Sequence, residues 1–330
     1  MANMFSKNLL EAASNWNLSF LDVGARGGIV PDLLPLAAAV DAICFEPEPE
    51  EASKLENTDM GSWRSLTVLP TALGGSDGTA TLYVPESEES ASLLQHNSEM
   101  VGRFGYEAMH KADRTFQVTC KTLDTLKAEG QIFRPTYLKL DIEGAELEVL
   151  KSATTVLDSV VAMRLEVSFL EQRLSQPLIW EVVEWLRTQD YEVIDVIDMQ
   201  RWRRRVLPAA PYRYRGYMPY SKGRVSQCDL LLSRKITAET TTEQKIQAVL
   251  ITSALGYFDS AIQILRDDED LPALWIGKHG FDLEDALNCE SRRRGRLETR
   301  RYLRGQLRDL VPAIRSVLVG ISAPEQGPPY

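Results

Sequence analysis

Short apolar runs alternate with segments of helical period from about Leu18 to about Arg234, the pattern of consecutive strand–helix–strand units, which predicts a mostly parallel sheet covered by helices. Residues 18–23 read as the first strand and 41–45 as the second. The helix between them is expected from Gly28, with Pro31 near enough to its start to be tolerated. Residues 48–55 predict the next helix and 66–70 the third strand, after which Gly74, Gly75, Ser76, Asp77 and Gly78 mark a turn into a hairpin strand at 79–84. From Pro85 to Arg114 the chain is polar and weakly periodic, as expected of an excursion over the sheet, a candidate lid. Residues 116–120, 136–141, 160–169 and 191–197 supply further strands, and 123–129, 145–152 and 178–188 further helices. Residues 225–233 form a last strand expected to pair antiparallel. Beyond Lys235 only helical periods rich in Leu, Ile, Arg and Glu follow. A boundary near Ile236 then divides the chain into an α/β domain, 1–235, and a helical C-terminal extension, 236–330, a candidate interaction surface. The final Pro324-Glu325-Gln326-Gly327-Pro328-Pro329-Tyr330 reads as disordered.

Composition narrows the functions open to such a fold. With 330 residues, 44% hydrophobic and 25% charged, the chain is large enough for a proper core. A formal charge of −10 argues against general nucleic-acid binding, which rewards clustered positive charge, and favours a small-molecule or glycan acceptor. Cys44, Cys120, Cys228 and Cys289 are scattered singly, without zinc spacing or disulfide density, which implies a reducing compartment. The N-terminal stretch has no secretory apolar core, and no run reaches a membrane-spanning length, so a cytoplasmic location is expected. His96, His110 and His279 share no metal-binding spacing, so no histidine metal site is expected, while a carboxylate-bound divalent cation stays open as an alternative.

The most informative segment runs Phe20-Leu21-Asp22-Val23-Gly24-Ala25-Arg26-Gly27-Gly28. An apolar strand ends in a carboxylate and feeds a glycine-rich turn, where the backbone bends sharply and a ligand approaches in place of a Cβ. A dinucleotide would bring its pyrophosphate against Asp22, which is repulsive. S-adenosylmethionine carries an α-ammonium and a sulfonium and no phosphate, so the acid favours it. The three glycines are equally consistent with a tight strand-to-helix connection. Glu46, in Phe45-Glu46-Pro47 at the end of the second strand, breaks that tie: a carboxylate roughly twenty residues past such a turn can accept both ribose hydroxyls of a bound adenosine. In Tyr137-Leu138-Lys139-Leu140-Asp141-Ile142-Glu143-Gly144-Ala145-Glu146 charged groups fall within and just beyond a central strand, where Asp141 and Glu143 would project into the same crevice. Lys139 shares a face with Asp141, and Glu166 on the next strand is the partner expected for it. Glu146 is placed to favour a helix N-terminus.

In these motifs the chain resembles the FkbM-type methyltransferases. The resemblance rests on Asp22-Val23-Gly24-Ala25, Phe45-Glu46-Pro47, Thr122-Leu123-Asp124 and, above all, Leu138 through Glu146 followed by Val149-Leu150, in that order over about residues 18–170. It implies a class I methyltransferase fold with a Rossmann-like sheet and S-adenosyl-L-methionine as donor, held by Asp22, Gly24, Ala25, Arg26, Glu46, Pro47 and Asp141. It further implies O-methylation of polyketides, glycans or sugar-containing metabolites. Arg26 departs from the asparagine usual in the family, which changes the contact expected at the amino-acid end of the donor.

Methyl transfer to an oxygen is an in-line displacement in which alignment alone can contribute roughly 7–11 kcal/mol. A base that takes the hydroxyl proton adds about 10²–10⁴-fold. Asp141 and Glu143 are the candidate bases, against a purely positioning role. Arg201-Trp202-Arg203-Arg204-Arg205, with Pro208, Pro211, Tyr212 and Tyr214 behind it, reads as a basic loop between late strands. There Arg203 and Arg204 are candidates to hold an anionic or glycosylated acceptor, against a merely solvated basic loop. The competing functions are N- or C-methylation on the same scaffold, a dinucleotide-dependent sugar oxidoreductase, and a non-catalytic cofactor-fold interaction protein.

Overall fold

A computed structural model describes residues 4–57, 61–107, 111–204 and 223–318, apart from the side chains of 112, 113 and 307–318. His110, Arg205, Pro208, Pro211, Tyr212, Tyr214 and the tail from Pro324 lie outside the described residues.

Seven strands form the main sheet: β1 (Leu18–Val23), β2 (Val40–Phe45), β3 (Ser65–Leu69), β7 (Tyr137–Leu140), β8 (Ala162–Ser168), β9 (Tyr191–Trp202) and β10 (Arg224–Arg234). Their spatial order is β3-β2-β1-β7-β8-β10-β9. The first five pair in parallel, and β10 runs antiparallel to both β8 and β9. The order reverses between β1 and β7, so the crevice at the carboxyl ends of those strands is where a ligand is expected. A small sheet of β4 (Ala72–Leu73), β6 (Ala112–Lys121) and β5 (Gly78–Pro85) stands beside it.

Strand pleating sorts the core into two layers. Leu18 and Phe20 of β1, Ala42 of β2 and Tyr137 of β7 face one layer. Leu21, Val23, Ile43, Phe45, Leu138 and Leu140 face the other, under the helices Leu123–Ala128, Glu146–Lys151 and Ile179–Thr188. The first layer is closed by the N-terminal helix Lys7–Ala13, which carried no clear sequence signal, and by the C-terminal helices Thr242–Leu255, Phe258–Arg266 and Asp270–His279. Trp16 stacks on Trp275 at 5.9 Å and donates through Nε1 to His279 Nε2 at 3.1 Å. The helical extension thus shares one hydrophobic core with the sheet.

Two elements depart from expectation. The segment after the glycine turn is a 3-10 helix, Pro31–Ala39, because Pro31 and Pro35 supply no N–H and the second stands inside it. Strand β9 runs on to Trp202, so Arg201 and Trp202 end a strand rather than lie in a loop. Trp202 is buried against Phe104 and Tyr106, and its register partner is Arg224.

Candidate active site

The floor of the crevice is set by register. Asp22 on β1 stands directly beside Lys139 on β7, on the same face. Both are buried, Asp22 completely. The Lys139 ammonium lies 3.3 Å from Asp22 Oδ1 and 3.4 Å from Asp141 Oδ2, and donates to the carbonyl of Gly24 at 2.9 Å. Burial pulls this ammonium down, but Asp22 and Asp141 outweigh it and hold it above its ordinary range. Burial lifts the Asp22 carboxyl against the pull of Lys139 and of the Val30 amide, which donates to Oδ2 at 2.7 Å. The expected pairing of Lys139 with Glu166 is therefore corrected. Arg164 is the neighbour of Lys139 on β8, and Glu166 falls one pleat period further on, past the end of β7.

Over this floor the chain turns with Gly24 at φ +81° and Gly27 at φ +81°. A Cβ on Gly24 would collide with the Asp141 carbonyl, so only glycine lets the two strand ends approach. The Gly24 and Ala25 amides both donate to the Phe45 carbonyl, at 3.2 and 3.1 Å.

A cavity of about 230 Å³ opens above the turn, lined by Gly24, Arg26, Glu46, Pro47 and Asp141. Asp22 and Ala25 do not line it: Asp22 shapes the turn from beneath, and Ala25 packs with Cys44, Ala52 and Leu55. Glu46 is raised by burial, while its Oε1 accepts from the Glu48 amide at 2.9 Å. Sequence reasoning missed the apolar wall, Leu73, Leu82 and Leu93, since these residues look like ordinary hairpin and lid positions. At the rim, Arg26 pairs with Glu48 at 2.8 Å and Glu88 at 2.7 Å, and Arg114 also pairs with Glu88. These ion pairs tie the glycine turn to the excursion after β5.

Beyond β7 the chain makes a second tight turn. Glu143 holds φ +61°, a backbone region rarely adopted by a side-chain-bearing residue and often found at functional sites. Glu146 secures this turn by accepting from the Ile142 amide at 2.9 Å and from the Gly144 amide at 3.0 Å, a more specific task than its expected helix-end electrostatics. The Glu143 carboxylate meets Arg173 at 2.8 Å, and the Ser92 hydroxyl of the excursion donates to the Glu143 carbonyl at 2.8 Å. Arg173, almost fully buried, was likewise missed by sequence reasoning. Glu166 accepts from Gln227, and burial, followed by the charges of Glu143 and Asp141, lifts its carboxyl well above the usual range. Oxygens of Asp141, Glu143 and Glu166 all lie within 4.8 Å of one another, a spacing that could admit a cation, although acids group this way without one.

The structure brings Gly24, Arg26, Glu46, Pro47 and Asp141 to one cavity, with Glu143 beside it. Arg203 and Arg204 lie outside that lining, just past Trp202, whose ring packs at 5.6 Å on Phe104 and 5.0 Å on Tyr106 of the excursion.

Comparison with known proteins gives this site a family. The chain is 32% identical over 155 residues to the hexuronic acid methyltransferase AglP of Haloferax volcanii, an overlap of 46% of this chain and 56% of AglP. It thus spans little more than half the length of that relative. Among solved structures, Streptococcus pneumoniae Sp1610 in complex with S-adenosyl-L-methionine overlaps 87% of this chain and 100% of its own, at 12% identity and a TM-score of 0.30. A protein of the NADB-Rossmann superfamily from Streptococcus agalactiae covers 88% and 95%, at 13% identity and a TM-score of 0.30. Overlaps this loose carry no weight for function. The sequence model of the Methyltransferase FkbM domain matches residues 22–193, more than half of the chain, and the chain belongs to that family.

Proposed function

We propose that the chain is an S-adenosylmethionine-dependent methyltransferase that methylates a hydroxyl of a sugar or glycan. The observation that carries this reading is the cavity itself, in which a glycine turn without room for a Cβ, the buried Glu46 and the strand-end Asp141 share one lining. Carboxylates dominate its charged groups, and Arg26 is already occupied by Glu48 and Glu88. That suits the cationic donor and disfavours a dinucleotide pyrophosphate. When bound, the donor supplies an electrophilic methyl group on sulfur.

The protein's own residues then have distinct tasks. Glu46 accepts the ribose hydroxyls, and the apolar wall of Leu73, Leu82 and Leu93 shields the adenine from water. Asp141 and Glu143 stand where an acceptor hydroxyl approaches, and one of them takes its proton as the oxygen–methyl bond forms and the sulfur–methyl bond breaks. The acceptor class is supported by the likeness to AglP, whose name assigns it a hexuronic acid. Glu46→Ala is expected to weaken donor binding by about tenfold or more, the effect of losing a charged hydrogen-bond acceptor. Isothermal titration of the folded variant measures this, and unchanged affinity would remove the basis for the donor site.

Arg203 and Arg204 are proposed to meet an anionic acceptor, since β9 delivers them next to the excursion that borders the cavity. Changing both to Gln is expected to raise the Michaelis constant for a uronate acceptor several-fold, leaving a matched neutral acceptor and donor binding unaffected. Equal kinetics toward both acceptors before and after the change would sink that assignment. Detection of a methylated sugar of the right mass, with the site of the new ether mapped by fragmentation, tests O-methylation itself.

A further inference from the structure

The excursion after β5 begins with a small flap whose base and tip are held in different ways. At the base Ser92 comes back to pair with Tyr83 of β5: the Tyr83 amide donates to the Ser92 carbonyl at 2.8 Å, and the Ser92 amide to the Tyr83 carbonyl at 3.0 Å. Ser92 is buried, and its hydroxyl reaches the Glu143 carbonyl. Between these two residues the chain loops out and turns through the 3-10 stretch Glu88–Ser90. No residue from 86 to 91 is buried, so the tip gains little from apolar packing.

Polar contacts hold the tip down instead. The Glu88 carboxylate pairs with Arg26 of the glycine turn at 2.7 Å and with Arg114 of β6. Further along, the Arg173 guanidinium donates to the Ser90 carbonyl at 2.9 Å. The Glu88 side chain is 49% exposed and that of Arg114 40%, so water and salt compete for their pairing. The contrast with the buried base makes the tip the part that lifts and the Tyr83–Ser92 pair its hinge.

What the tip separates gives such a movement a purpose. Glu89 and Ala91 form part of the wall of the cavity above the glycine turn. Ser87 and Glu88, with Arg26, Gly27 and Glu51, line a neighbouring cleft of about 450 Å³, and Glu89 lines both spaces. The tip is a partition between cavity and cleft, and raising it joins them.

We propose that residues 86–91 are the gate of the donor site and that Glu88, clasped by Arg26 and Arg114, is its latch. The gate rests on the proposed function, which gives this cavity to the methyl donor. Closing brings Ser90 onto Arg173, whose guanidinium also meets Glu143, so a shut gate and a placed Glu143 carboxylate go together.

Two measurements on the full chain test this, the first without donor. In hydrogen–deuterium exchange at low salt, the peptide over residues 86–92 is expected to exchange about three- to tenfold faster in Glu88→Gln than in wild type, the effect of losing two exposed ion pairs. Arg114→Gln removes one of the two pairs and should show a smaller rise. Added salt should bring the wild type toward Glu88→Gln and leave that variant unchanged. The second measurement is the rate at which bound S-adenosyl-L-methionine leaves, followed by stopped-flow displacement, which should rise by a similar factor in each variant. Glu99→Gln breaks the exposed pair with Arg103 elsewhere in the excursion and should alter neither rate. Equal exchange in wild type and Glu88→Gln overturns the latch. Faster exchange with unchanged donor dissociation overturns the gate. A wild-type chain that does not bind the donor at all sinks the proposed function and the gate with it, and exchange then still decides the latch.

Discussion

Asp141→Asn and Glu143→Gln should identify the base: the variant that removes it is expected to lower turnover by about 10²–10⁴-fold while changing donor affinity far less. Glu143 carries a mark that a pH profile can read. Burial pushes Glu143 up to about 7, with Asp141 and Glu146 adding to the rise and Arg173 and Lys139 opposing it. A base works only once deprotonated. If Glu143 is that base, wild-type turnover rises with pH and levels off above about 7, and Glu143→Gln loses both the rate and the inflection. If Asp141 serves, the Glu143 variant retains most of its turnover and Asp141→Asn does not. Wild-type turnover in both variants, on a verified acceptor, would leave alignment as the whole source of catalysis.

The second large effect is on stability. Lys139→Met is expected to lower the free energy of unfolding by about 3–5 kcal/mol, because it strands the Asp22 carboxylate without its cation in a fully buried position. Chemical denaturation of the two proteins gives the difference. Adding Asp22→Asn to that variant should recover part of the loss, since an amide needs no counter-ion, and the coupling in such a cycle isolates the pair. A loss of only a few tenths of a kcal/mol would mean that water reaches the pair and that the floor of the crevice is less dry than its burial indicates.

How much of this was legible in the sequence depends on the range over which each interaction acts. The strands and the antiparallel β10 could be read because alternation and apolar runs are local properties of the chain. The cavity residues Gly24, Glu46 and Asp141 were equally legible, since each is the first polar or glycine position after an apolar strand. Lys139 was recognised as needing a partner, but the partner was misassigned. Which acid stands beside it is fixed by the β1–β7 register, and register appears only when strands are paired in space. Asp22 was likewise read as facing the donor, whereas its face of β1 points beneath the turn toward Lys139 and the Val30 amide. The basic run was read as a loop because four arginines in five residues say nothing of Trp202, whose burial against Phe104 and Tyr106 extends β9 to that point. Arg173 carried no local signal, as its significance arises only from the carboxylate it meets.

The division of labour around the crevice bears on how such a protein can change over generations. The floor of the crevice is held by Asp22, Lys139, the Gly24 carbonyl and the Val30 amide, on the ends of β1 and β7 and in the turn that follows β1. On the proposed function the acceptor side is bounded by other material: the Phe104 end of the excursion, the segment around Arg173, and the end of β9. Substitutions there leave the floor untouched, so on the proposed function a lineage could try new sugars with the proposed donor site intact. Changes in the floor risk stability and, on the same proposal, donor binding together, which leaves selection little room to move there.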